Sequence, residues 1–159
     1  MLKGKAGESL DRFYRGFIAG TAAAIPLNAW SLFSYYNLKL TDRRLLDWAG
    51  MLVFGSMPKT ALQVALALFM QLVYSGFRGI LFAFLVPHIG SRGVVGKAVI
   101  FSVILSFAEE FIVVLFKVPN LAETPADSVI STLLGAVLWG VVLAVILRRL
   151  EPRAGEGLS

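Results

Sequence analysis

Glu109 and Glu110 are adjacent carboxylates set inside the apolar stretch SFAEEFIVVLF, and no other pair of acids in the 159-residue chain is placed this way. A carboxylate in such surroundings is costly unless it is paired, hydrated or protonated. The chemistry open to the pair is therefore that of a proton carrier or a cation site. Neighbours on a helix point about 100° apart, so the two cannot share one proton within a single chain. Glu109 falls on the face of Ser102, Ser106 and Val113, and Glu110 lies nearer Ser106 and Lys117.

At a rise of ~1.5 Å per residue, Glu109 sits ~10 Å from the Phe116 end of its segment. Asn28, Gln63 and Gln71 fall in the same half, with Lys59 at the mouth of the preceding segment. Residues Glu109, Glu110, Ser102, Ser106, Asn28, Gln63, Gln71 and Lys59 are thus candidates to line an ion or solute pathway. Two plainer readings stand beside it: a salt bridge at the interface with Lys59 or Lys117, and a contact with another subunit.

Arg78 lies eight residues before Val86, ~12 Å from the opposite end by the same rise. This depth predicts that it snorkels to lipid headgroups rather than pairing with Glu109. With Arg92 it is a candidate headgroup site. His88 is the only histidine. It reads as a polar residue at a helix end, with pH sensing as the sharper alternative.

The elements that must position these groups are apolar and long. Uncharged runs cover Gly16–Leu38, Thr60–Phe77 and Ser128–Leu147, and a further run, interrupted by the two glutamates, covers Ala98–Phe116. A helix of about 20 apolar residues crosses a bilayer. The spans expected are 13–36, 61–86, 94–116 and 128–147, forming one all-α domain, an integral membrane bundle of four transmembrane helices. Composition agrees, with 57% hydrophobic and 16% charged residues and a mean hydropathy of +0.76. Pro26 should kink the first span, whereas Pro87, Pro119 and Pro125 fall at or beyond span ends. The first run continues past Ala22–Ala24, so it reads as a span and not as a cleaved leader.

Several function classes drop out. The chain has no cysteine, and one histidine cannot build a bis-histidine haem or a histidine-rich zinc site. GxSxG, HExxH and P-loop motifs are absent. We therefore expect no enzyme, no metal and no cofactor. The net charge of +5 follows from basic loops and not from a nucleic-acid partner. With the N-terminus cytoplasmic, Lys3, Lys5, Arg12, Arg15, Arg92, Lys97, Arg148, Arg149 and Arg153 lie inside. Only Lys39, Arg43, Arg44, Lys59 and Lys117 then lie outside. Both termini are thus expected in the cytoplasm of a cell-membrane protein.

Between spans 1 and 2, Trp48–Pro58 (WAGMLVFGSMP) is apolar but too short to cross. Residues 42–55 are read as a short helix, interfacial or re-entrant, capped by Thr41 or Asp42 and with Arg43 one turn from Asp47. Gly16, Gly20 and Ala24 form a small-residue stripe, matched by Ser131 and Gly135 in span 4, which suggests that spans 1 and 4 pack closely. Trp30, Trp48, Tyr35 and Tyr36 suit an outer aromatic belt, and Trp139 is read as packing.

The segments Pro58–Thr60 (PKT), Gly79–Arg92 (GILFAFLVPHIGSR), Leu115–Leu121 (LFKVPNL) and Trp139–Glu151 (WGVVLAVILRRLE) resemble small, uncharacterised multi-span membrane proteins of Gram-positive bacteria, of the YqhR kind. The resemblance covers about 60% of the chain and brings no assigned site with it. The glutamate pair is not part of that pattern. Two functions follow as expectations. One is a non-catalytic subunit or scaffold acting through helix packing, as a homo-oligomer or within a membrane complex. The other is proton- or cation-linked passage through Glu109 and Glu110.

Overall fold

The computed structural model describes residues 2–90, 92–118, 121 and 123–150, with side chains from Asp11 onward. Pro119, Glu151, Arg153 and the side chains of Lys3 and Lys5 lie outside that set. The described residues are helical and contain no strand. Helix α1 (Leu2–Phe33) ends in a π-helical turn over Ser34–Leu38, α2 is Leu45–Phe54, α3 is Ala61–Ile89, α4 is Val94–Leu115 and α5 is Ala126–Leu150. Four stretches, Asp11–Leu38, Ala61–Ile89, Val94–Leu115 and Ala126–Leu150, are long and apolar enough to cross a membrane.

Helix ends follow local chemistry. Thr60 opens α3: its hydroxyl accepts from the Gln63 amide, while the Gln63 side chain accepts from the Lys59 and Thr60 amides. This is a reciprocal capping box. Helix α2 begins at Leu45 with Arg44 as its N-cap, and not from Thr41 or Asp42. The Asp47 carboxylate accepts from the Arg44 amide at 2.8 Å, and Ser31 of α1 accepts the Leu45 amide at 2.7 Å. The expected Arg43–Asp47 pairing is replaced by Arg44–Asp47, while Arg43 pairs with Asp42. Gly90 and Gly93, both at positive φ, make the tight α3–α4 turn that an L side chain would strain.

The long helices pack in the order α3, α1, α5, α4, and the backbones of α3 and α4 scarcely approach each other. Glycines set the first contact. A Cβ at Gly16 would lie 2.8 Å from the Gly79 carbonyl and from Ala83 Cβ, and Ser75 donates to the Gly20 carbonyl at 2.8 Å. The Gly16/Gly20 stripe is therefore consumed against α3, not against α5. Helix α1 meets α5 through its other face: Trp30 donates to the Ser131 carbonyl, Ser34 and Ser131 share a hydrogen bond, and Leu27 sits over Gly135. Ala24 is fully buried.

The main core occupies the half of the bundle nearer the α3–α4 turn. Ala19, Ala23, Phe82, Val86, Ala98, Trp139, Leu143, Ala144 and Leu147 form a continuous apolar cluster there. At the opposite end α2 buries Leu46, Asp47, Ala49, Gly50 and Met51. Its Met51 packs with Val113 and Leu121, and Gly50 lies against Pro58. One face of α2 is thus buried in the protein, while Leu52 and Val53 stay exposed.

Candidate functional site

A cavity of about 450 Å³ fills the gap between α3 and α4, with α1 and α5 behind it and α2 above. Its deep end is Trp139, fully buried, which is also the last residue of the apolar core below. Its shallow end is the Thr41–Arg44 connection together with Glu110, Thr124 and Ser128. All three tryptophans of the chain line it.

Helix α3 supplies Gln71, Tyr74, Ser75 and Arg78. These stand at i, i+3, i+4 and i+7, a single helical face. Helix α4 supplies Ser106, Glu109 and Glu110. The two faces meet at a buried ion pair. Arg78 Nε lies 3.6 Å from Glu109 Oε1, and the Tyr74 hydroxyl donates to that same oxygen at 3.0 Å. The Arg78 guanidinium lies over the Trp139 ring, 4.6 Å from its centroid. The Trp139 indole N–H donates to Ser75 Oγ at 2.7 Å, which fixes the ring under the arginine.

This overturns the reading of Arg78 as a headgroup residue set apart from Glu109. Arg78 is only 8% exposed and faces the cavity. Helix α3 runs to Ile89 and not Val86, which lifts Arg78 to ~16 Å from that end, against ~22 Å for Glu109. The length of an arginine side chain covers the remainder. Arg92 is exposed in the α3–α4 turn, as is His88, whose Nδ1 meets the Phe84 carbonyl.

The pair is not saturated. At 3.6 Å the Arg78–Glu109 contact is electrostatic and too long for a hydrogen bond. Nε and Nη2 of Arg78 are buried and have no hydrogen-bond partner among the described residues. Each such orphan donor costs about 1–3 kcal/mol, and the tryptophan face returns up to ~2 kcal/mol. The site as built therefore favours an added oxygen acceptor.

The other candidates separate. Gln71, Ser106, Glu109 and Glu110 share the cavity. Asn28 is not on its wall but donates to Gln71 Oε1 and to the Ala24 carbonyl, both at 2.8 Å. Ser102 is fully buried beneath the cavity, its hydroxyl unpaired among the described residues. Gln63 and Lys59 belong to the start of α3 and are not part of the site; the Thr60-x-x-Gln63 spacing was the signal for that role. Tyr74, Ser75 and Trp139 are the residues that sequence reasoning missed.

At the rim, Arg43 holds the Asp42 carboxyl below its usual value, chiefly through their hydrogen bond and against the effect of burial. The hydrogen bonds that Arg44 donates to Asp47 push the pKa of its guanidinium up. These two pairs tie the connection that covers the cavity. Arg43 also donates to the Glu123 carbonyl at 3.0 Å, joining that connection to the segment before α5. Among the described residues no three histidine, aspartate or glutamate side chains gather as a metal site. No family model, curated protein or solved structure matches the chain.

Proposed function

We propose that the chain is a multi-pass membrane protein that holds, without chemically changing it, one small molecule with an apolar body and a polar end. The observation that carries this reading is the buried Arg78, with spare donors, in a cavity whose volume lies in the usual range for small-molecule sites. The lining supports it: aromatic and aliphatic walls with a few convergent polar groups. The basic-residue bias supports cytoplasmic termini, which turns the α2 end outward.

The scaffold reading has less to draw on, because the Gly16/Gly20 stripe is already packed against α3 within the chain. Free passage of ions is disfavoured by the apolar cluster below Trp139, which an ion would have to cross. The test uses the cysteine-free background. Ser106→Cys in the full chain, in bilayers, should react with a small thiol reagent, and 1-dodecanol should slow that reaction. Leu147→Cys, in the apolar core, should stay inert. A Ser106→Cys protein as unreactive as Leu147→Cys would sink the cavity reading.

A further inference from the structure

Resting on that reading, we infer that the polar end of the bound molecule is a carboxylic acid: its carboxylate occupies Arg78, and its proton passes to Glu109. Three observations lead there. The first is the shape of the vacant donors. Nε and Nη2 lie on one edge of a planar guanidinium held flat by Trp139, and that edge matches the two oxygens of a carboxylate.

The second is the surroundings. The cavity wall includes Leu27, Met70, Ile112, Val113 and Ala136, an apolar surface that suits an aliphatic chain. The third is the charge count. The lining contains Arg43, Arg44 and Arg78 against Asp42, Glu109 and Glu110, and Arg44 is already paired with Asp47 behind it, so the site has no spare positive charge. A permanent anion such as phosphate would leave an uncompensated charge in a low-dielectric site.

A weak acid avoids this, because it brings one proton with it. The ligand O–H bond breaks, an O–H bond forms on Glu109, and the net charge of the site is unchanged. Glu109 is the acceptor because it is the carboxylate that loses Arg78 to the guest. The groups facing it are Tyr74 and Arg78 from α3, Glu110 beside it on α4, and Asp42, Arg43 and Arg44 of the covering connection. Neither α1 nor α5 adds a charged side chain to the lining.

The experiment is calorimetric titration of the full chain in phosphatidylcholine nanodiscs near pH 7.5, with empty discs as the blank. Dodecanoate is compared with 1-dodecanol and with inorganic phosphate, in two buffers of different ionisation enthalpy. Dodecanoate should bind at least tenfold more tightly than 1-dodecanol, with about one proton taken up per molecule, and phosphate should not bind. Glu109→Gln should keep dodecanoate binding and lose the proton uptake. Equal binding of alcohol and acid, binding of phosphate, or acid binding without proton uptake would each overturn the inference. If neither amphiphile binds while Ser106→Cys is reactive, the inference fails and the cavity reading survives. An unreactive Ser106→Cys removes both.

Discussion

On the α2 side of Trp139 the helices present Gln71, Tyr74, Arg78, Ser106, Glu109 and Glu110 to a cavity. On the other side the same helices meet through Ala19, Ala23, Phe82, Ala98, Leu143 and Ala144. The difference lies in side-chain size. Small residues bring the backbones of α1 and α3 into contact at Gly16, Gly20 and Gly79, and close backbone approach is what holds helices together where solvent offers no hydrophobic drive. With that half fixed, the α2 half can carry large polar side chains in a looser arrangement. The tight half positions; the open half leaves a cavity.

The largest way to break the contrast is to loosen the tight half. Gly79→Leu would drive a side chain into the Gly16 carbonyl and the Gly20 backbone. We expect a loss of about 3 kcal/mol, read from the unfolding midpoint in mixed micelles. A wild-type midpoint would mean that the α1–α3 contact is not what fixes the bundle.

Next is the ion pair. Arg78→Met alone leaves Glu109 buried without its counter-charge and should cost about 3 kcal/mol, whereas Arg78→Met with Glu109→Leu should recover most of the loss. A double-mutant cycle measures this, and purely additive costs would mean that the 3.6 Å contact contributes nothing. Tyr74→Phe removes only the hydroxyl donated to Glu109. About 1.5 kcal/mol is expected for a hydrogen bond to a charged group, and a change near zero would show that the phenol is dispensable.

A pH effect sharpens the comparison at the rim. The Asp42 carboxyl is held below its ordinary value of 3.8, so its bond with Arg43 is present above that value and is lost as pH falls through the lowered one. Labelling of Thr41→Cys, measured relative to a free thiol at the same pH, should therefore rise only below about pH 4, while a cysteine in the apolar half shows no such step. The smallest effect belongs to Gly96→Ala. Space around Gly96 is open, and alanine should stabilise α4 by up to about 1 kcal/mol through helix propensity. A destabilised variant would place a neighbour against that position.

The four long helices were legible in the apolar runs, because a bilayer-length run is the strongest signal such a sequence carries. The stripe Ser102, Ser106, Glu109 was equally readable from its spacing. What escaped was the partnership of Arg78 with Glu109. It depends on a three-residue difference in where α3 ends, since each residue shifts depth by ~1.5 Å, and Pro87 made an earlier end look natural. The face Gln71, Tyr74, Ser75, Arg78 was present in the spacing and went unread because attention to charge left out a tyrosine and a serine. The role of Trp139 needed the third dimension: its ring becomes a platform only once α5, packed on α1, brings it across to Ser75 and Arg78 of α3.

The near-absence of backbone contact between α3 and α4 bears on the order in which the molecule can be assembled. Once α3 has emerged, α1 and α3 can zip together through their glycines. Helix α4 then arrives carrying two carboxylates and finds almost no backbone to pack on, because its main neighbour, α5, is encoded after it. During that interval the reach of Arg78 toward Glu109 is, among the described residues, the one ion pair between α3 and α4, so the same contact that would meet a ligand in the mature protein would hold a waiting helix in register during synthesis.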